Sequence, residues 1–170
     1  MGDVMNIMKI ERFSTSNGQG LRHVLWTAGC DFHCPGCHNP EAWSRQSGRP
    51  WTDADYDRLT EDFKTMSDIL DGITFLGGEP LLDTSLDTIT EIAKKFKEEY
   101  PNKTIWLWTG NLYENVKDLD VMSYVDVLID GQFDMSKMDL RLKWAGSTNQ
   151  RVVDVKKSRQ TGKIVLLQEN

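Results

Sequence analysis

The stretch Gly29-Cys30-Asp31-Phe32-His33-Cys34-Pro35-Gly36-Cys37-His38-Asn39 holds all three cysteines of the chain, spaced C-x3-C-x2-C. Thiolates are soft ligands for zinc and for iron–sulfur clusters. Three of them so close together converge on one metal centre when the segment is a loop. A 4Fe-4S cluster is usually held by four cysteines, so three leave one iron without a protein ligand. An open metal position is where a small molecule binds and reacts. Two other readings stand beside this one. A structural zinc site could be completed by His33 or His38, although zinc ligands usually come from two separated pairs. The cysteines could also be small buried hydrophobes, which suits scattered cysteines better than a cluster rich in Gly, Pro and His.

A second candidate is Gly77-Gly78-Glu79-Pro80, which follows the apolar run Ile73 to Leu76. Glycines there let a ligand approach the backbone closely, and a carboxylate suits a ligand ammonium. The plain alternative is a Gly-Gly turn capped by an exposed Glu. The sequence offers no Ser/His/Asp or paired-carboxylate arrangement that competes with the cysteine loop.

The cysteine spacing is the signature of the radical S-adenosylmethionine superfamily, and this segment resembles theirs. The flanking runs Asn17-Gly18-Gln19-Gly20-Leu21-Arg22 and Cys37-His38-Asn39-Pro40-Glu41-Ala42-Trp43 resemble, more narrowly, the activating enzymes of glycyl-radical proteins. Members of the superfamily usually carry an aromatic residue just before the third cysteine, and Gly36 stands there instead. The Cys-Pro-Gly-Cys form resembles the activators of anaerobic ribonucleoside-triphosphate reductase, so the residue that stacks on adenine is not legible in the motif. Trp108-Thr109-Gly110, Asp130-Gly131-Gln132-Phe133 and Gly146-Ser147-Thr148-Asn149-Gln150-Arg151 resemble segments of the same activators. The resemblance therefore runs from about Asn17 to Arg151.

The resemblance implies that Cys30, Cys34 and Cys37 hold three irons of a 4Fe-4S cluster, and that S-adenosyl-L-methionine binds the fourth. It implies that Gly77-Gly78-Glu79 holds the methionine amino group and that Asn39 hydrogen-bonds the cluster or the cofactor. Thr109 could donate to a ribose hydroxyl and Asp130 accept from one, with plain turn roles as the alternative. Arg151 could pair with the methionine carboxylate or be an ordinary surface arginine. The implied activity is reductive cleavage of S-adenosylmethionine and formation of a glycyl radical on the large subunit of the reductase, with flavodoxin or ferredoxin as electron donor. Activation of another glycyl-radical enzyme, of the formate lyase type, is the rival within the class; the short chain, single cluster and late GSTNQR segment argue against it. A zinc- or iron-binding interaction module is the rival outside the class.

Composition is consistent with this. At 170 residues the chain suits one domain, residues 1–170, with a real core. A net charge of −6 argues against a nucleic-acid binder. No apolar run reaches the ~18–20 residues of a membrane span, and the N-terminal stretch lacks the apolar core of a secretory signal. Thiolate ligands need a reducing compartment, so a cytoplasmic location is expected. The basic run Lys156-Lys157-Ser158-Arg159 to Lys163 reads as a solvated surface segment.

The elements that must position these residues alternate. Strands are expected at Asn6 to Thr15 (an edge strand), His23 to Ala28, Ile73 to Leu76, Thr104 to Thr109 and Val125 to Ile129, with further short ones at Val152 to Val155 and Ile164 to Leu167. Helices are expected from Thr52, with Leu59, Phe63, Met66 and Leu70 on one packed stripe, and from a Thr84-x-x-Asp87 cap, with Leu86, Ile89, Ile92, Ala93, Phe96 and Tyr100 inward. A short helix is expected at about Leu112 to Leu119. Trp26, Trp106 and Trp108 read as core. Strands alternating with helices predict an α/β fold with a mostly parallel sheet, and 170 residues are too few for a full eight-unit barrel. An incomplete, TIM-like β/α barrel is therefore expected, open enough for a large protein substrate to reach the cysteine loop.

Overall fold

The computed structural model describes residues 4–167. Seven strands form one sheet: β1 (Asn6–Ser14), β2 (Arg22–Thr27), β3 (Arg49–Pro50), β4 (Gly72–Gly77), β5 (Thr104–Trp108), β6 (Val127–Asp130) and β7 (Arg151–Asp154). Their order is β3-β1-β2-β4-β5-β6-β7. The central four, β2, β4, β5 and β6, are parallel, while β1, β3 and β7 run antiparallel to their neighbours. The sheet is open. The expected α/β class and mostly parallel centre hold; a closed ring of β/α units is not what these strands form.

Register sets the two faces. Leu25, Phe75, Leu107 and Leu128 lie in one row across the parallel strands, and Val24, Thr74, Trp106 and Val127 in the next. Because side chains alternate along a strand, the first row faces the helices. There it packs with Ile73, Ile105, Phe63, Ile89 and Phe96 in the main core. The second row faces the other way, where Trp106, Val127, Ile129, Ala145 and Val152 form a smaller cluster. Strands covered on both faces read as unbroken apolar runs, which is why these segments are visible in the sequence.

The helices are α1 (Asp53–Thr60), α2 (Asp83–Glu99), α3 (Tyr113–Val116) and α4 (Val155–Thr161). Helix α1 starts at the expected Thr52 cap, where Asp55 returns a carboxylate oxygen to the Thr52 N–H and hydroxyl in a capping box. It stops sooner than its apolar stripe suggests. Thr60 bonds back to the Tyr56 carbonyl, and Glu61–Lys64 tightens into a 3-10 turn. Asp62 on that turn reaches His23 and Arg12. Leu59, Phe63 and Leu70 stay buried, but Met66 is 37% exposed and is not the packing residue expected. Helix α2 begins at Asp83 with no side-chain cap on Leu82, so Thr84 is not the cap. Its buried face carries the expected Ile89, Ile92, Ala93 and Phe96.

At the margins the differences have simple causes. β1 is not an edge strand, because Arg49–Pro50 pairs along its outer side. The short helix expected near Leu112 to Leu119 ends at Val116, followed by a 3-10 turn at Asp120–Ser123. The basic side chains of the run are exposed as expected, but Lys156 to Arg159 are helical, within α4, and Ser158 among them is buried. Residues 164–167 return beside β7 through a single bridge, Val153 to Leu166, rather than as a strand.

Candidate metal centre and adjoining cavity

The cysteine loop and the Gly77-Gly78-Glu79 turn leave the carboxyl ends of the paired strands β2 and β4. Their backbones are laced together: Gly78 N–H donates to the Thr27 carbonyl (2.8 Å) and Glu79 N–H to the Gly29 carbonyl (2.7 Å). The approach is so close that a Cβ on Gly78 would lie 2.4 Å from the Gly29 oxygen, so only glycine fits. The other flank of the loop is tied down by Gly29 N–H to Ala42 O (2.7 Å) and Cys30 N–H to Trp43 O (3.0 Å). Arg45 bridges Asp31 (2.9 Å) and Asp83 (2.6 Å), fastening the loop to the start of α2.

Within the loop, Cys37 N–H turns back to the Cys34 carbonyl at 3.0 Å, and Gly36 takes a left-handed φ of 74°. All three thiols are free and half-buried, and all three line one cavity of about 370 Å³. Burial pushes the thiols of Cys30 and Cys34 up from their ordinary values, with backbone N–H groups pulling the other way. Among the described residues, no three His, Cys, Asp or Glu side chains converge closely enough for a single metal ion. His33 and His38 are exposed, His33 stacked on Trp43 and His38 edge-on to Phe133.

Gly77, Gly78 and Glu79 form the adjoining wall of the same cavity. Glu79 is buried, 3% exposed, and burial raises its carboxyl above the usual range, opposed by the donors it accepts. These are Gly110 N–H (2.7 Å), Leu81 N–H (2.9 Å) and the Thr109 hydroxyl (2.8 Å). Thr109 lines the cavity too, with its proton directed at Glu79 while its oxygen accepts from Asn111. Asn39 also lines the cavity, and its buried Nδ2 has no acceptor among the described residues.

Asp130 and Arg151 are brought together, but not to this cavity. Asp130 shares the helix-side face of β6 with Leu128. It accepts from Tyr113 N–H (2.8 Å) and from the Arg151 guanidinium, which also grips Glu114. Their sequence positions at the ends of β6 and β7 are as expected; the alternation of side chains turns them away. Trp106 is core at 2% exposure, as expected, whereas Trp26 and Trp108 line the cavity with Phe32, Phe133 and Trp144. The same two-residue alternation, applied to β2 and β5, is the signal that finds Trp26 and Trp108.

The donor set fits an iron–sulfur cluster: three free thiols on one wall, a Gly77-Gly78 turn packed directly on the backbone that leads into them, and an unpartnered amide donor beside them. Residues 16–153 match the family described as a 4Fe-4S single cluster domain. The chain belongs, within it, to the family of anaerobic ribonucleoside-triphosphate reductase-activating proteins. It is 35% identical over 150 residues to that of Pasteurella multocida, covering 86% of this chain and 95% of the relative. To that of Escherichia coli K12 it is 36% identical over 138 residues (80% and 90%), and to that of enterobacteria phage T4 35% over 148 (87% and 93%). Among the described residues no helix is long and apolar enough to cross a membrane.

Proposed function

We propose that this chain activates anaerobic ribonucleoside-triphosphate reductase as a radical S-adenosylmethionine enzyme. Cys30, Cys34 and Cys37 hold the 4Fe-4S cluster. When bound, the cluster supplies one electron that breaks the S–C5′ bond of S-adenosylmethionine, giving methionine and a 5′-deoxyadenosyl radical that takes a hydrogen atom from a glycine Cα of the reductase's large subunit. The electron comes from a flavodoxin or ferredoxin in the cytoplasm. The observation that carries this reading is that the chain's only three cysteines share one cavity with Gly77, Gly78 and Glu79.

The rest of the chain binds and orients. Gly77 and Gly78 let the turn pack on the Thr27 and Gly29 backbone, which sets the Glu79 carboxylate at the cavity for an ammonium. Thr109 holds Glu79 in place, and Asn39 offers its free N–H to the cluster or the cosubstrate. No general acid or base is required; holding the reacting atoms close is most of the work. We read the open sheet as a partial barrel, whose uncovered mouth admits a loop of a large protein.

Anaerobic incubation with S-adenosylmethionine and a strong reductant should yield 5′-deoxyadenosine, and mixing with the reductase should yield a glycyl doublet by electron paramagnetic resonance. A colourless zinc protein with no broad visible absorption overturns the cluster. A doublet on formate lyase but not on the reductase overturns the choice of partner.

A further inference from the structure

The link from β6 to β7 is long, with a 3-10 turn at Met135–Lys137, hydrogen-bonded turns at Leu140–Arg141 and Thr148–Asn149, and one bridge, Met138 to Ser147. Polar side chains at its far end clasp the backbone at its near end. Gln150 Nε2 donates to the Gly131 carbonyl at 3.0 Å. Asn149 Nδ2 donates to the Gln132 carbonyl at 2.8 Å. Ser147 Oγ accepts from Asp134 N–H at 3.1 Å. Gln150 Oε1 meanwhile accepts from Gly146 N–H (3.0 Å), Ser147 N–H (3.1 Å) and the Ser147 hydroxyl (3.1 Å). The Gln150 amide can point only one way, since a flip would set its NH₂ against those donors.

The clasped segment and the residue after it face the cysteine loop through Gln132, Phe133 and Met135. Gln132 Oε1 lies 4.0 Å from the Cys34 sulfur. The Phe133 ring stands 5.4 Å from that of His38, and a Cβ on Gly36 would meet the Met135 methyl at 2.2 Å. Phe133 is backed by Gly146, where a Cβ would come within 3.0 Å of the ring. Gly131, Gln132 and Phe133 all line the cavity, and so do Gly146 and Gln150; Ser147 and Asn149 do not.

We propose that Ser147, Asn149 and Gln150 are positioning residues, which hold Gly131 to Asp134 as the cavity wall opposite the cysteines and thereby set the affinity for S-adenosylmethionine. This rests on the activating reading above. Ser147 and Asn149 lie outside the cavity lining and act through the wall they fix, since a flexible wall must be ordered at the moment of binding. Gln150 borders the cavity as well, so Asn149→Ala is the variant that separates positioning from direct contact. A merely structural role, bracing β6 against β7, would lower stability and leave cosubstrate affinity alone.

The test compares the cluster-loaded wild type with Gln150→Met, which keeps volume but not hydrogen bonds, and Asn149→Ala, at an exposed position. Anaerobic calorimetry should show the dissociation constant for S-adenosylmethionine rising about tenfold in Gln150→Met and about threefold in Asn149→Ala. In the metal-free full chain, amide exchange at 131–134 should accelerate in both variants while α2 stays as protected as in the wild type. Affinities within twofold of wild type in the folded variants, with only the melting temperature lowered, overturn the proposal. If Gln150→Met does not fold, Asn149→Ala decides the matter. Failure of the activating reading is distinguishable, because it shows in the wild type, which would neither bind nor cleave S-adenosylmethionine.

Discussion

Glu79 and Thr109 share a 2.8 Å hydrogen bond across the carboxyl ends of β4 and β5, the hydroxyl donating to Oε2. The other carboxylate oxygen takes Gly110 N–H at 2.7 Å, and Leu81 N–H completes the set on Oε2. One side chain therefore fixes two adjacent loops of the cavity. The carboxylate is held in one orientation by donors of the chain itself.

Glu79→Gln tests that staple. Donors face both oxygens, so either orientation of the amide sets its NH₂ against an N–H or O–H. One such mismatch costs about 1–3 kcal/mol, to be read by urea unfolding at neutral pH. The pH dependence has a definite sign. Burial raises the folded carboxyl above its ordinary 4.5, so between the unfolded and folded values the native state binds more protons. The stability of wild type relative to Glu79→Gln should be largest below 4.5 and fall as pH rises through the folded value. A difference that grows with pH over that window contradicts the assignment.

Arg22 closes the opposite end of the same sheet. It is fully buried, and its five N–H groups meet Thr74 Oγ1, the Ile73 carbonyl, the Thr104 carbonyl and hydroxyl, and the Gln19 carbonyl. Burial lowers its basicity, with Asp71 and Asp126 pulling it back up. Lysine brings one point charge and three donors, leaving acceptors unmet around a desolvated charge. Arg22→Lys should cost about 3 kcal/mol or more in unfolding free energy, and a loss below about 1 kcal/mol would show that water replaces the missing donors.

How much of this the sequence discloses follows from what fixes each feature. The cysteine loop is legible because its three thiols are local in the chain, and the parallel strands because two-sided burial makes unbroken apolar runs. Asp130 and Arg151 illustrate the limit. Their positions at strand ends were readable, but whether each side chain enters the cavity depends on a register that only pairing sets. Helix α1 stops at Thr60 because Asp62 meets His23 and Arg12, partners distant in sequence, which its own periodicity does not contain. The clasp at Ser147, Asn149 and Gln150 is of the same kind: the residues are visible as a string, and their backbone partners are not.

Asp55 gives a second pH test with the opposite sign. Arg49 grips it with both guanidinium nitrogens, Arg58 adds a third, and Thr52 donates its N–H and hydroxyl, so the carboxyl is held well below the usual range. The stability it confers should be complete above its ordinary 3.8 and be lost as pH falls toward the depressed folded value. Asp55→Asn should cost about 1–3 kcal/mol at neutral pH, since Arg49 and Arg58 stay half-exposed and solvated. The mutant's acid-unfolding profile should be flatter than that of wild type, and parallel profiles would rule out Asp55 as the group responsible.

Gly36, the residue standing where an aromatic is usual, is constrained twice. Its φ of 74° disfavours any side chain, and a Cβ there would collide with the Met135 methyl. The two constraints differ in weight. Met135 is half-exposed and the clash is with the tip of a flexible chain, so it can swing aside. The backbone conformation has no such escape and costs a non-glycine residue about 1–2 kcal/mol. Gly36→Ala should therefore lose about that much, Met135→Ala about 0.5 kcal/mol or less, and the double variant should recover little. If Met135→Ala instead restores Gly36→Ala to wild-type stability, packing against the β6–β7 link, rather than the turn itself, is what demands glycine between Pro35 and Cys37.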